Sequence, residues 1–194
     1  MAFGDESDAA RPLAGGNWFV GAWPPALVAC EVAEWSEQAL RQGGWRRSAA
    51  EDLHATLAFL GPLDVERARE LSQALRAELR GLRPVRLRLG ALEGFPAECS
   101  AKRVAYLALV DEVQGAWWSD AVGRTARACL RAGLARPPAG TPHLTVARPK
   151  SGPAPLPSAR APGWEFQVES LHLACRRDGP GIGRYMSFAR ISLG

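Results

Sequence analysis

The chain has 194 residues, 47% of them hydrophobic and 23% charged, enough for one domain with an ordinary core and too apolar for a disordered chain. No apolar run approaches the roughly 20 residues of a membrane span, and Met1 to Gly16 lacks the basic start and apolar stretch of a signal peptide, which predicts a flexible tail over 1–16. The net charge of +4 favours an anionic partner only mildly, because an arginine-rich composition accounts for it as well, and four cysteines without C-x-x-C spacing fit reduced cytoplasmic thiols.

Asn17 to Trp23 is a short apolar segment stopped by Pro24-Pro25 and reads as a buried strand. Ala26 to Gln42 carries Leu27, Cys30, Val32, Trp35, Ala39 and Leu40 as a helical stripe ended by Gly43-Gly44. Leu53 to Leu60 reads as a strand closed by Gly61-Pro62. Asp64 then caps a helix through about Leu79, with Leu71, Leu75 and Leu79 on one face. Val85 to Leu92 alternates apolar residues with arginine, as a half-solvated strand does. The Arg83, Arg86 and Arg88 run belongs to that solvated face rather than to an RNA groove.

The second half restarts in the same order. Arg103 to Val110 is a strand, Asp111 to Ala132 a helix, and His143 to Ala147 a strand after a glycine- and proline-rich turn. Phe19 to His54 and Tyr106 to His143 are similar separations, so strand, helix and histidine strand recur as a weak internal repeat. Pro149 to Gly163 is a proline-rich surface loop. Trp164 to Cys175 and Arg184 to Leu193 close the chain as two strands around a turn at Asp178 to Gly183.

His54-Ala55-Thr56-Leu57 is matched by His143-Leu144-Thr145-Val146. Side chains two apart on a strand share a face, so each copy offers an imidazole and a hydroxyl to one side. Leu53, Ala55, Leu57 and Phe59 are then expected on the opposite, core side. The coincidence is informative because the only histidines are His54, His143 and His172, and the only threonines Thr56, Thr125, Thr141 and Thr145. One H-x-T is a weak signal; two in a repeated strand order are a strong one. Histidine exchanges protons near neutral pH. One ring can activate water and a second protonate the leaving oxygen of a cyclic phosphodiester, while the threonine hydroxyls donate to the non-bridging oxygens.

These motifs resemble those of the two-histidine phosphoesterases, and specifically the bacterial and archaeal RNA 2′,3′-cyclic phosphodiesterases, also called 2′-5′ RNA ligases. Trp18-Phe19-Val20-Gly21-Ala22 resembles the opening strand, Trp45 to Gly61 the first-motif block, and Gly94-Phe95-Pro96 the central loop. Pro142 to Arg148 resembles the second-motif block, and Gly183-Arg184-Tyr185 the terminal glycine–tyrosine element. Departures fall at Ala55, Tyr106, Val146 and Cys175-Arg176-Arg177, and none touches a motif histidine or threonine.

The resemblance implies an α+β fold of two lobes related by approximate twofold symmetry. Each lobe is an antiparallel sheet with flanking helices, the active-site cleft lies between them, and together they form one bilobal domain over residues 17–194. It implies hydrolysis of RNA 2′,3′-cyclic phosphate ends to 2′-phosphomonoesters and a weak reverse 2′-5′ ligation. His54 is then the proton donor and His143 the acceptor, with Thr56, Thr145 and Arg148 on the phosphate. Trp45, Phe95 and Tyr185 are candidate base contacts, with packing as the plain alternative, and Phe19 and Phe59 are expected in the core. His172 lacks a threonine partner and is expected on a sheet face. The expected partner is an RNA cyclic-phosphate end or a cyclic nucleotide, with no membrane, no cofactor, no metal and a monomeric state in the cytoplasm. A non-catalytic RNA-end-binding module and an enzyme for small cyclic nucleotides remain the competing readings.

Overall fold

The computed structural model describes residues 11–12, 15–42, 44–113, 115–138, 140–178 and 183–194. Most of the expected tail over 1–16, and residues 179–182 of the last turn, lie outside the described residues.

The elements run β1 (Arg11–Pro12), β2 (Asn17–Ala22), α1 (Ala26–Ala39), β3 (Trp45–Arg47), a 3₁₀ turn (Ala50–Asp52), β4 (Ala55–Pro62), α2 (Val65–Glu78) and β5 (Val85–Phe95). They continue as β6 (Ala101–Lys102), β7 (Val104–Asp111), α3 (Ala116–Arg131), β8 (His143–Pro149), β9 (Ala154–Pro155), β10 (Glu165–Val168), β11 (Ser170–Asp178) and β12 (Tyr185–Ser192). The main sheet has the order β1-β11-β2-β4-β8-β7-β5-β10, with β12 on β11 and β3 on β8, and β6 pairs with β9 apart from it. Every pairing among the described residues is antiparallel.

Two lobes meet in that order, β11-β2-β4 on one side and β8-β7-β5 on the other. Among the described residues their sheets are joined at one backbone pairing, Ala55 opposite Leu144. α2 and α3 pack on each other, α3 reaches back over β4, and α1 lies against β8 and the 3₁₀ turn. The repeat read from the sequence is therefore a repeat in space, with its junction beside the two motifs.

The α2 start follows its sequence. Asp64 Oδ1 accepts the Arg67 N–H at 2.7 Å, and Ala68, Leu71 and Leu75 form the buried face. α3 begins later than expected because Asp111 caps it from outside. Its carboxylate accepts the backbone N–H groups of Val113, Gly115 and Trp118. α1 buries Ala29, Val32 and Ser36, whereas Leu27 is 72% exposed and Cys30 is exposed. The expected stripe holds in part: Val32 and Leu40 are buried and Trp35 packs against the core, while Leu27 and Cys30 face solvent and Ala29 and Ser36 complete the buried face. The expected strand over 164–175 breaks at Glu169. β10 pairs with β5 in one lobe and β11 with β2 in the other, so the chain changes lobes there. The proline-rich loop carries β9.

Candidate active site

His54 sits between the 3₁₀ turn and β4, one residue before that strand begins, and His143 is the first residue of β8. Because Ala55 pairs with Leu144 in antiparallel register, one step either way sets His54 opposite Thr145 and Thr56 opposite His143. Ala55 and Leu144 are fully buried beneath, and the four motif side chains line one cleft of about 280 Å³. Directly opposed residues on one sheet face lie roughly 5 Å apart at Cβ, so the two imidazoles occupy one diagonal of a small square and the threonines the other.

Both rings are held by the same device. His54 Nδ1 lies 2.7 Å from the carbonyl oxygen of Asp52, and His143 Nδ1 lies 2.7 Å from that of Thr141. A carbonyl only accepts, so Nδ1 carries a hydrogen in each ring and Nε2 is left to exchange a proton. Aromatic rings clamp the imidazoles further. Phe19 stacks on His54 at 4.6 Å between centroids, with Tyr185 edge-on at 4.9 Å and Trp23 at 5.5 Å. Phe95 stands edge-on to His143 at 5.2 Å, stacked on Tyr106, which lies 5.1 Å from the same imidazole. Burial in these walls holds both imidazoles below the usual histidine pKa, and the Arg148 charge pushes each further down. Tyr106 donates its hydroxyl to Glu93 at 2.9 Å, and burial raises its pKa to about 12, so it is a wall rather than an acid.

The motif strands share a second device. Val20 pairs with Ala58 and Gly21 with Thr56, which leaves Leu57 as an extra residue in β4. Ala105 pairs with Ala147 and Tyr106 with Thr145, which leaves Val146 extra in β8. A bulge of this kind reverses the alternation of faces beyond it. The third residue after each threonine, Phe59 in one copy and Arg148 in the other, is thereby turned into the cleft. Phe59 is 58% exposed and is not in the core, a correction of the alternation read from the sequence. Gly21 is required beside the first bulge, since a Cβ there would stand 2.6 Å from the Ala55 carbonyl oxygen.

Phe95, Tyr185 and Arg148 line the cleft together with the four motif residues. Trp45 does not: it is 2% exposed, donates its indole N–H to the Pro155 carbonyl at 3.2 Å, and is corrected from candidate base contact to core. Its neighbours Arg46 and Arg47 line the cleft instead, with Arg46 paired in register with Arg148 across β3 and β8. His172 is half-buried on its sheet face, bonded to Ser187 and Ser170 and outside the cleft.

Sequence reading also missed Asp52. Its carboxylate is buried and accepts the Arg184 backbone N–H at 2.6 Å and the Arg184 Nε–H at 2.8 Å, pinning the start of β12 over the site. Gly183 is held at φ +78, with Asp52 Oδ1 3.0 Å from the place of a Cβ. The 132-residue separation leaves no local signal for this pair. Among the described residues Arg47 is paired with Glu37 and Arg184 with Asp52, while Arg46 and Arg148 have no ion-pair partner, so the cleft has cationic capacity to spare for an anion. Among the described residues no group of three or more His, Cys, Asp or Glu side chains is placed to hold a metal ion, and no helix is long and apolar enough to cross a membrane.

Residues 24–180 match the family model of the 2′-5′ RNA ligase superfamily. No curated protein sequence matches the chain. Among solved structures, the Thermus thermophilus protein TT0787 is 23% identical with a TM-score of 0.74, covering 91% of this chain and 97% of its own. E. coli LigT complexed with 3′-AMP is 23% identical with a TM-score of 0.71, covering 94% of this chain and 99% of its own. E. coli LigT complexed with NADP+ is 24% identical, covers 93% and 99%, and has a TM-score of 0.70. At these identities the structures establish a shared fold.

Proposed function

From its membership of the 2′-5′ RNA ligase superfamily of phosphoesterases, to which this chain belongs, we propose that it hydrolyses 2′,3′-cyclic phosphate ends of RNA to 2′-phosphomonoesters. The observation that carries the reading is the pair of Nδ1-anchored imidazoles and two threonines on one cleft face, one histidine and one threonine from each lobe.

His143 Nε2 accepts a proton from water, and the water oxygen forms a new bond to phosphorus. The bond from phosphorus to O3′ breaks on the opposite side, and His54 Nε2 gives its proton to the departing oxygen. His143 ends protonated and His54 neutral, and exchange with solvent restores both. Thr56 and Thr145 donate hydroxyl hydrogens to the non-bridging oxygens, whose charge grows as the fifth oxygen approaches. Arg148, without an ion-pair partner among the described residues, adds a charge-assisted donor, and Phe59, Phe95 and Tyr185 offer apolar faces to ribose and base. The complexes of E. coli LigT with 3′-AMP and with NADP+ are in keeping with an anionic nucleoside ligand. We read the enzyme as monomeric and cytoplasmic, in keeping with four free cysteines.

The test is phosphorus NMR of the products from adenosine 2′,3′-cyclic phosphate and from an oligonucleotide ending in that group, after dialysis against EDTA. A 2′-monoester, faster from the oligonucleotide, is expected. Equal rates on both substrates would point to a small-nucleotide enzyme, binding without turnover to an RNA-end-binding module, and loss of activity restored by one divalent ion would overturn the two-histidine chemistry.

A further inference from the structure

The backbone arrangement of the two half-sites is duplicated, but its side chains are not. The residue two before each histidine supplies the carbonyl that holds Nδ1. In the second half-site this is the exposed Thr141, which carries no charge. In the first it is Asp52, whose carboxylate is 5% exposed. We propose that Asp52 is the positioning residue that makes the half-sites unequal, committing His54 to donate the proton and His143 to accept one. This rests on the two-histidine reading above.

Three observations carry it. Asp52 is the sole carboxylate on the wall of the cleft among the described residues, and it is joined to the His54 ring through one backbone carbonyl. Its partner Arg184 is not an equal counterweight. The Arg184 side chain is 51% exposed while the carboxylate is buried, so water screens the cation more than the anion. The remaining groups around the rings do not copy this asymmetry. His54 faces Phe19, Trp23 and Tyr185, with Arg184 beside Tyr185, Arg148 on β8 and His143 across the junction. His143 faces Phe95 and Tyr106, with Glu93 behind the Tyr106 hydroxyl, Arg148 on its own strand, and Arg46 and Arg47 on β3. Burial disfavours the imidazolium in both rings, and the Asp52 charge opposes that at His54 alone. A general acid must enter the reaction protonated and a general base neutral, so a negative charge beside one of the two rings favours that ring as the acid.

The experiment is a ¹⁵N NMR titration of the three histidines in the ligand-free wild type, in Asp52→Asn and in Arg184→Ala, beside the pH–rate profile of each. Asn keeps an acceptor for the Arg184 N–H, so Asp52→Asn removes charge with little change of shape. It should lower the His54 pKa, leave His143 and His172 in place, and move the alkaline limb of the rate profile to lower pH. Arg184→Ala bares the carboxylate and should move His54 the other way. Shifts of the same sign in both variants would show that the pair only braces the β12 loop, and an unmoved His54, or equal shifts in His54 and His143, would overturn the proposal outright. Absence of hydrolysis in every protein, wild type included, with the opposite His54 shifts intact, would bring down the catalytic reading and leave the electrostatic one standing.

Discussion

His54 lies among Phe19, Trp23 and Tyr185 with a buried carboxylate at its back, whereas His143 lies between Phe95 and Tyr106 with none. Beneath that difference the two half-sites are built alike. Each has a histidine bonded by Nδ1 to the carbonyl two residues back, a threonine on the same face, and a bulge at the next residue. The third residue after each threonine then enters the cleft, as apolar Phe59 on one side and cationic Arg148 on the other. On the proposed reading, the symmetric backbone supplies the reach needed on both sides of a phosphorus, and the asymmetric side chains supply the two chemical roles.

The largest test of this comparison is removal of each ring. A positioned general acid or base is typically worth ~10²–10⁴ in rate, so His54→Ala and His143→Ala should each lose about that much kcat. The double variant should be little slower than the poorer single one, because the pair acts as a unit. Both rings titrate below the ordinary histidine range, so both limbs of the wild-type bell should lie lower than for free imidazole. A base works only above its pKa, so the acid limb moves down with His143. An acid works only below its own, so the alkaline limb moves down with His54. With an analogue whose leaving oxygen needs no proton, His54→Ala should recover much of its rate and His143→Ala should not. The reverse pattern would exchange the roles.

Next in size are the threonines, where the two halves should behave alike. Thr56→Ala and Thr145→Ala should each cost about 10²-fold in kcat, the low end for loss of an oxyanion donor. Serine at either position should restore most of the rate. If Thr56→Ser were as damaging as His54→Ala, hydroxyl donation would be untenable.

The smallest effects should separate the two bulge-turned residues. Arg148→Ala removes a cation that lowers both imidazoles, so the whole rate profile should move to higher pH together with a rise in KM. A charge-assisted hydrogen bond is worth about 1.5–3 kcal/mol, so that rise should be tenfold or more. Phe59→Ala should raise KM about fivefold, the low end of the ~1–3 kcal/mol of a full base stack, and leave the profile unmoved. A pH shift in Phe59→Ala, or none in Arg148→Ala, would contradict the assignment of charge to one half and an apolar face to the other.

Much of this is legible in the chain. The strands around both motifs, the α2 cap at Asp64 and its leucine face are local patterns, and local patterns survive folding when core and propensity agree. The duplicated H-x-T is legible because strand alternation alone puts both side chains on one face. The α1 stripe is legible only in part, at Val32, Trp35 and Leu40, because six apolar residues spread around a helix do not say which of them meets a neighbour. α1 packs on β8 and the 3₁₀ turn, and Ala29, Val32 and Ser36 are buried in it. Trp45 is drawn to the site by its neighbourhood in sequence, yet it is Arg46 and Arg47 that line the cleft; alternation accounts for Arg46, which stands opposite Arg148 on β8, with the Trp45 indole buried on the other side.

The sequence by itself determined the chemistry available: two histidines and two threonines in a repeated motif, with arginine to meet an anion. Tertiary structure alone decided how these groups confront one another. A bulge exists only relative to the partner strand, so no reading of β4 or β8 in isolation reverses the faces at Leu57 and Val146 or brings Phe59 and Arg148 inward. The Ala55–Leu144 pairing and the Asp52–Arg184 bond join residues far apart along the chain. Their partners are set by lobe packing, and packing, unlike propensity, is a property of the whole molecule.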